Sequence, residues 1–214
     1  MHNRKIGIIG YGVIGQQIEC FLKEIVGEQK IDFFYFDDIL YEKGAYNCFR
    51  FSDFDSNEFR ELEFYIGLGY TQLERKKNIC EQLVKKKYNF PYLAHKTAYI
   101  HPSAIIGNGV IIYPMCNIGF NVRISDGVII NNSSIISHDS LIDTCSFISA
   151  GVILSGNVQM SQKCFIGSGT VVANSLKIGK NVKIGAGSVI TKDIDDDLLV
   201  IGNPIRVVNQ LNIK

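Results

Sequence analysis

His138 and Asp139 stand side by side in the segment Ile136-Ser137-His138-Asp139-Ser140-Leu141. Imidazole is the side chain whose ordinary titration range suits proton transfer near neutral pH, and an adjacent carboxylate can orient the ring and support the charge it gains. The pair therefore points to a general base, with a solvated surface imidazole as the plain alternative. A second group lies near the start of the chain, where Gly10, Gly12 and Gly15 form GxGxxG and Asp37 and Asp38 follow about 25 residues later. Glycines at that spacing let a backbone approach a pyrophosphate closely and present free N–H groups to it. A carboxylate at the end of the next strand can take a ribose hydroxyl or a base.

The elements needed to hold that turn are present. Lys5 to Ile9 reads as a buried strand, and the turn opens a helix with Ile18, Phe21, Leu22 and Ile25 on one face. Ile31 to Phe36 is a second strand ending in Asp37 and Asp38, and Phe64 to Leu68 is a third that runs into a charged helix from about Thr71 to Lys87. Three uses of the turn are open: a nicotinamide dinucleotide, a nucleotide-sugar pyrophosphate, or a purely structural bend. The roughly 90 residues ahead of the next feature are short for a dinucleotide fold, which favours the nucleotide sugar. Lys85, Lys86 and Lys87 read as the solvated end of the helix rather than as a phosphate clamp.

The element that must position His138 is a repeat. Stepping by six from Ile100 to Ile190, sixteen consecutive positions are Ile, Leu, Val or Met, and four residues after each of the first fifteen comes a small or medium-sized residue. A period of six fits neither a helix nor a hairpin and matches hexapeptide β-helix repeats. Each hexad is then a short strand and a corner, with the large aliphatic pointing into a narrow prism. Fifteen hexads at three per turn predict about five coils, stacking to roughly 24 Å. His138 falls two residues after the inward Ile136, near a corner. The three histidines that a metal-dependent β-helix hydratase would use are missing, so no metal is expected. Cys116 and Cys164 fall in the small inward series and read as packing residues, and nothing in the sequence activates Cys145.

Charge follows the same division. The 214 residues carry 22 basic and 21 acidic side chains, but residues 1–98 hold 14 of each, while residues 99–190 hold five and three. Eighteen of the 23 Phe and Tyr also precede residue 99, so two architectures are expected to join near Tyr99. The near-neutral total excludes a polyanion-binding tail, a disordered chain and an acidic solvating domain, and no nucleic-acid partner is expected. No apolar run reaches the ~18 residues of a membrane span. The stretch Ile6 to Ile14 is broken by glycines and lacks a cleavage site, unlike a signal peptide. Six cysteines without CxxC spacing suit reduced thiols in the cytoplasm.

The glycine turn, the acidic pair closing the second strand, the junction FPYLAHKTAYIHPSAIIG, the segment INNSSIISHDSLI and the terminal GAGSVITKDIDDDLLVIGNP together resemble the NeuD/PglD family of sugar acetyltransferases over essentially the whole chain. The resemblance implies a small N-terminal Rossmann-like α/β domain (residues 1–98) that binds a nucleotide-linked amino sugar. It further implies a left-handed parallel β-helix (99–193) that binds acetyl-CoA and carries catalysis, a C-terminal capping segment (194–214), and a homotrimer with active sites between subunits. The left hand comes from the resemblance, against the usual crossover rule. On these motifs the family's base falls on His138, its acidic partner on Asp139 and its sugar-contacting asparagine on Asn131. The oxyanion and acetyl-CoA side falls on Gly156, one 18-residue coil after His138, and on Asn174; Gly10, Gly12, Gly15, Asp37 and Asp38 fall on the nucleotide side. Two positions depart from the pattern, with Ile14 and Phe147 where the family often has histidine.

The implied reaction is direct attack of the amine of a nucleotide-linked sugar, a 4-amino-4,6-dideoxy sugar by resemblance, on the acetyl-CoA thioester. His138 takes the proton and Gly156 N–H faces the oxyanion. No acyl-enzyme is needed, so the kinetics are expected to be sequential. An O-acetyltransferase of sialic-acid-type sugars is the alternative enzyme, and a nucleotide-sensing module without catalysis is the alternative outside enzymology.

Overall fold

The computed structural model describes residues 3–27 and 30–210, which form two compact units meeting between Pro91 and Tyr92. In the first, β1 (Arg4–Ile9) pairs in parallel with β2 (Ile31–Phe36) on one side and with β4 (Glu63–Ile66) on the other; β3 (Cys48–Phe49) extends the sheet beyond β2. The order β3-β2-β1-β4 puts β2 and β4 on opposite flanks of β1. In such a sheet the crevice at the carboxyl ends of the strands is the usual ligand position. Parallel strands covered on both faces read as continuous apolar runs, and Ile6, Ile8, Ile9, Phe36, Phe64 and Ile66 are all at most 1% exposed.

Helix α1 (Val13–Val26) buries Gly15, Ile18, Glu19 and Leu22. The predicted stripe holds at Ile18 and Leu22 but lapses at its far end, where Ile25 is 47% exposed. A short α2 (Asp38–Glu42) follows β2, and α3 (Leu73–Lys85) follows β4 after one 3-10 turn, a shorter helix than predicted. Lys86, just past α3, pairs with Asp55 at 2.5 Å. The aromatic excess of this unit is mostly packing: Phe36, Phe49, Phe59 and Phe64 form one cluster, with centroid separations of 4.9 Å for Phe36–Phe59 and 4.6 Å for Phe49–Phe59. Edge-to-face pairs of this kind contribute about 0.5–1.5 kcal/mol each beyond their burial.

The second unit is the β-helix. Seventeen two-residue strands, β5 (Leu93–Ala94) through β21 (Val189–Ile190), recur every six residues, and each pairs in parallel with the strand eighteen residues away, as Ile129 does with Ile111 and Phe147. They make three sheets, one per face of the prism. The inward series from Ile112 to Ile190 is at most 2% exposed at every step, each such side chain contributing roughly 1.5–3 kcal/mol by burial.

The expected five coils are six. The inward series starts one hexad earlier than its aliphatic members reveal, because the residue six before Ile100 is the small Ala94 of β5, whose strand already pairs with β8 (Ile111–Ile112). At the other end the spacing falls from eighteen to sixteen, with Ile178 bridging to Ile194 and Ile184 pairing with Val200. Strand β22 (Leu198–Ile201) thereby continues one face, and β23 (Arg206–Gln210) pairs antiparallel with it, covering an edge that would otherwise invite strand addition.

Every corner from residue 109 to residue 187 uses one residue at positive φ, six apart, and nine of these fourteen are not glycine. A side chain in that region ordinarily costs about 1–2 kcal/mol. The corners offset this cost with inter-coil hydrogen bonds; Asp139 N–H, for example, donates to Phe120 O at 2.9 Å. The small inward series does more than fill space. The buried hydroxyls of Ser134, Ser140 and Ser146 each donate to a carbonyl fifteen residues on and accept an N–H eighteen residues on, so each is satisfied both as donor and as acceptor.

Candidate active site

His138 occupies the corner between β12 (Ile135–Ile136) and β13 (Leu141–Ile142), held on either side by inward Ile136 and Ser140. Its side chain is 65% exposed and has no packing role in its own coil. Nδ1 lies 2.9 Å from Asp139 Oδ2. Asp139 is held in the left-handed region at φ 57°, which turns its carboxylate back toward the preceding ring. The carboxyl stays below its usual range, chiefly through the hydrogen bond to His138 and then through one from Asn121. An ionised carboxylate only accepts, so Nδ1 carries the proton and the lone pair of the neutral ring sits on Nε2.

Nε2 faces Gly156, the residue one coil above in the same column. A Cβ there would lie 2.5 Å from Cε1 of His138 and closer still to Nε2. Gly156 is therefore the bare shelf on which the ring rests, a requirement that the glycine's position in the sequence does not reveal. Its N–H donates to Asn174 Oδ1 at 2.9 Å, one further coil up. His138, Asp139, Gly156 and Asn174 thus converge on one corner column. Asn131 does not: it follows β11 (Ile129–Ile130) on a different edge of the prism, and its Oδ1 accepts the Asn132 N–H at 2.8 Å. Phe147, on β14 (Phe147–Ile148), lies on the same face as β11 and packs 6.1 Å from the Phe165 ring.

The glycine turn of the first unit is built from both sides. Gly10 takes φ 82°, and its N–H donates to Phe36 O. A Cβ on Gly15 would collide with the Gly10 carbonyl oxygen, as would one on Gly67 just past β4, a required glycine that the motif does not include. Gly12 is different, because a Cβ there would meet nothing within 4 Å. Its bareness serves no packing of the chain itself and leaves the start of α1 open to a ligand. Ile14, in the place of the expected histidine, reaches toward Gly69.

Asp37 is the turn's clamp. Its Oδ2 accepts the Tyr11 N–H at 2.9 Å, and its Oδ1 caps α2 by accepting from Ile39 and Leu40. Asp38 accepts the Phe51 N–H through Oδ1 at 2.9 Å. A cluster that sequence reasoning missed pins the turn from below. The hydroxyls of Tyr11 and Tyr35 both donate to Glu19, which also pairs with Lys23 at 2.7 Å. Burial first, and then Glu19, raises both tyrosines well above their ordinary range. Glu19 is held below its own range against the opposing effect of burial, because Lys23 and the two hydroxyls bond to it. Its signal was a lone carboxylate on the apolar face of α1.

Other candidate chemistry recedes. Burial pushes the Cys164 thiol up to about 12 and that of Cys116 upward as well, so neither is a ready nucleophile. Among the described residues no three His, Cys, Asp or Glu side chains come together as a metal site, and no helix is long and apolar enough to cross a membrane.

Residues 157–192 match the family described as bacterial transferase hexapeptide (six repeats). The acetyltransferase domain of PglB from Neisseria gonorrhoeae FA1090 superposes with a TM-score of 0.84 at 27% identity, covering 96% of this chain and 100% of that one. The same domain in complex with acetyl coenzyme A gives 0.84 at 28% identity over the same spans. PerB from Caulobacter crescentus, in complex with CoA and GDP-perosamine, shares the fold with a TM-score of 0.84 at 22% identity, over 97% of this chain and 98% of that one. The chain thus carries a match to the hexapeptide-repeat family over residues 157–192 and has the fold, a small α/β unit and a left-handed β-helix, of the sugar acetyltransferases that it resembles over nearly its whole length.

Proposed function

We propose that this protein is an acetyl-CoA-dependent N-acetyltransferase acting on a nucleotide-linked amino sugar, a 4-amino-4,6-dideoxy sugar in the reading preferred here. The observation that carries the proposal is the His138 corner, where Nδ1 is held by Asp139 and Nε2 is free over the bare shelf of Gly156. The sugar amine attacks the thioester carbonyl, Nε2 accepts its proton, and the thiolate of coenzyme A leaves. Gly156 N–H stabilises the oxyanion once Asn174 Oδ1, its partner in the free protein, gives way. The open start of α1 at Gly12 and the carboxylate of Asp38 hold the nucleotide, while Asp37 and Glu19 keep the turn in shape. Thiol release over a panel of UDP-, dTDP- and GDP-linked 4-amino sugars, with free sugars as controls, tests this. Release is expected with one nucleotide-linked amine; release with free sugars alone would replace the reading by O-acetylation, and none with any sugar would favour a sensing module.

The same reading places the protein in the cytoplasm as a homotrimer. Asn131 and His138 lie on different edges of one prism, so both can face one acceptor only if each comes from a different copy. Sedimentation equilibrium is expected to return three times the chain mass, and a monomer at assay concentration would separate Asn131 from the site.

A further inference from the structure

Asp139 is half exposed, at 49% of its side chain, and no packing fixes its carboxylate. What fixes it is a second hydrogen bond. Oδ2 engages His138 Nδ1 at 2.9 Å, and Oδ1 accepts from Asn121 Nδ2 at 3.3 Å. Asn121 lies eighteen residues earlier, at the same corner of the preceding coil and likewise at positive φ, 55°.

Asn121 is itself anchored. Its backbone N–H donates to Ser103 Oγ at 2.8 Å. Ser103 in turn sits against His101, with its own N–H donating to Nδ1 at 3.1 Å and its hydroxyl 2.9 Å from the same nitrogen. Because that Nδ1 accepts, the serine hydroxyl also donates to it and leaves Oγ to accept from Asn121. Hydrogen bonds thus link His101, Ser103, Asn121, Asp139 and His138 across three coils, with Asn121 donating both ways, its backbone N–H to Ser103 and its amide to Asp139.

The neighbouring corner provides an internal control. His95 and Thr97 build the same cap, and Thr97 Oγ1 accepts the Met115 N–H at 3.1 Å. That chain stops at Met115, whose side chain has no N–H or O–H to pass on. One coil above Asp139, the Asn157 amide turns away to Ser175 at 3.2 Å. Of these three corner residues, Met115, Asn121 and Asn157, Asn121 is the one whose side chain donates to Asp139.

We propose that Asn121 is a positioning residue for the His138–Asp139 pair: by holding one carboxylate oxygen it aims the other at Nδ1 and so keeps the Nε2 lone pair on the Gly156 side. This inference rests on His138 acting as the base. Arg123 lines a cavity of about 270 Å³ with Asn121, Asp139 and Gln159 and is the other charged residue of that lining.

Two variants test the proposal. Asn121→Gly keeps the positive-φ backbone and removes the amide; Asn121→Asp keeps the shape and replaces a donor with a second carboxylate. For Asn121→Gly, kcat is expected to fall about tenfold, the worth of one hydrogen bond to a charged group, with KM for both substrates within about twofold. For Asn121→Asp the acid limb of kcat/KM is expected to move to higher pH, because the added negative charge favours the imidazolium.

The readout independent of turnover is the ¹⁵N spectrum of His138 in the substrate-free protein. It should show Nδ1–H as the dominant tautomer in the parent chain and a mixture in Asn121→Gly. An unchanged tautomer ratio in that variant would overturn the positioning role whether or not any sugar is turned over. Loss confined to KM or to thermal stability would overturn it equally. An altered ratio in a protein that acetylates nothing would uphold the coupling and reject the acetyltransferase reading instead.

Discussion

Replacing His138 by alanine is expected to lower kcat by about 10²–10⁴-fold, the range that a positioned general base supplies, while the affinity for acetyl-CoA stays unchanged. The side chain is 65% exposed and its ring touches the shelf of the next coil rather than the core, so thermal stability should move little. The residual activity should also lose the acid limb that a titrating base imposes on kcat/KM. Equilibrium binding of acetyl-CoA, steady-state rates across pH and a melting curve separate these effects. A variant that keeps full activity would remove His138 from the mechanism, and one that melts early would show that the corner is structural.

Gly156→Ala is the second large effect, and it is the less obvious of the two. The residue has no positive φ and alanine suits its backbone, so the substitution would be expected to be mild or even stabilising if only the coil mattered. The added methyl, however, would lie 2.5 Å from Cε1 of His138 and nearer still to Nε2. The ring must leave the shelf, and with it the lone pair loses its aim at the thioester. Loss of kcat by about 10²-fold or more is expected, because a displacement of an ångström at a reacting group has that scale of cost. The melting temperature should remain within a few degrees of the parent. Parent-like rates in Gly156→Ala would mean that the ring does not work from this shelf.

How much of this was legible in the sequence differs by element, for physical reasons. The β-helix was plain because a narrow prism accepts one large inward side chain per hexad and punishes any slip, so the constraint is written at Ile112, Ile118 and every sixth residue beyond. Its ends were not, because Ala94 fills the first inward position without looking hydrophobic and because the last coil shortens to sixteen residues. His138 and Asp139 were found because they are neighbours in sequence. Asn121 was missed although it too is hydrogen-bonded to Asp139, because the coil puts eighteen residues between them. Stepping back one coil from Asp139, as one steps forward from His138 to Gly156, is the signal that would have found it.

In the first unit the glycine spacing identified the turn but not the division of labour within it. Gly10 and Gly15 answer to the chain's own backbone, Gly12 does not, and Gly67 was needed from a distant strand. Asp37 reads in sequence like a ligand for a ribose; in the structure both of its oxygens already hold backbone N–H groups of the turn and of α2. The aromatic excess that marked this half in the sequence is largely packing, with Phe36 against Phe49, Phe59 and Phe64.

The central claim is that the His138 corner moves an acetyl group from a thioester directly to a sugar amine. Acetyl-CoA labelled with ¹³C at the acetyl carbonyl, supplied with the nucleotide-linked 4-amino sugar that releases thiol, tests it most directly when product and protein are followed together. The label is expected to appear as an amide on the sugar, with none on the protein when the acceptor is withheld. An ester signal on a sugar hydroxyl, or label retained by the protein in the absence of acceptor, would contradict it.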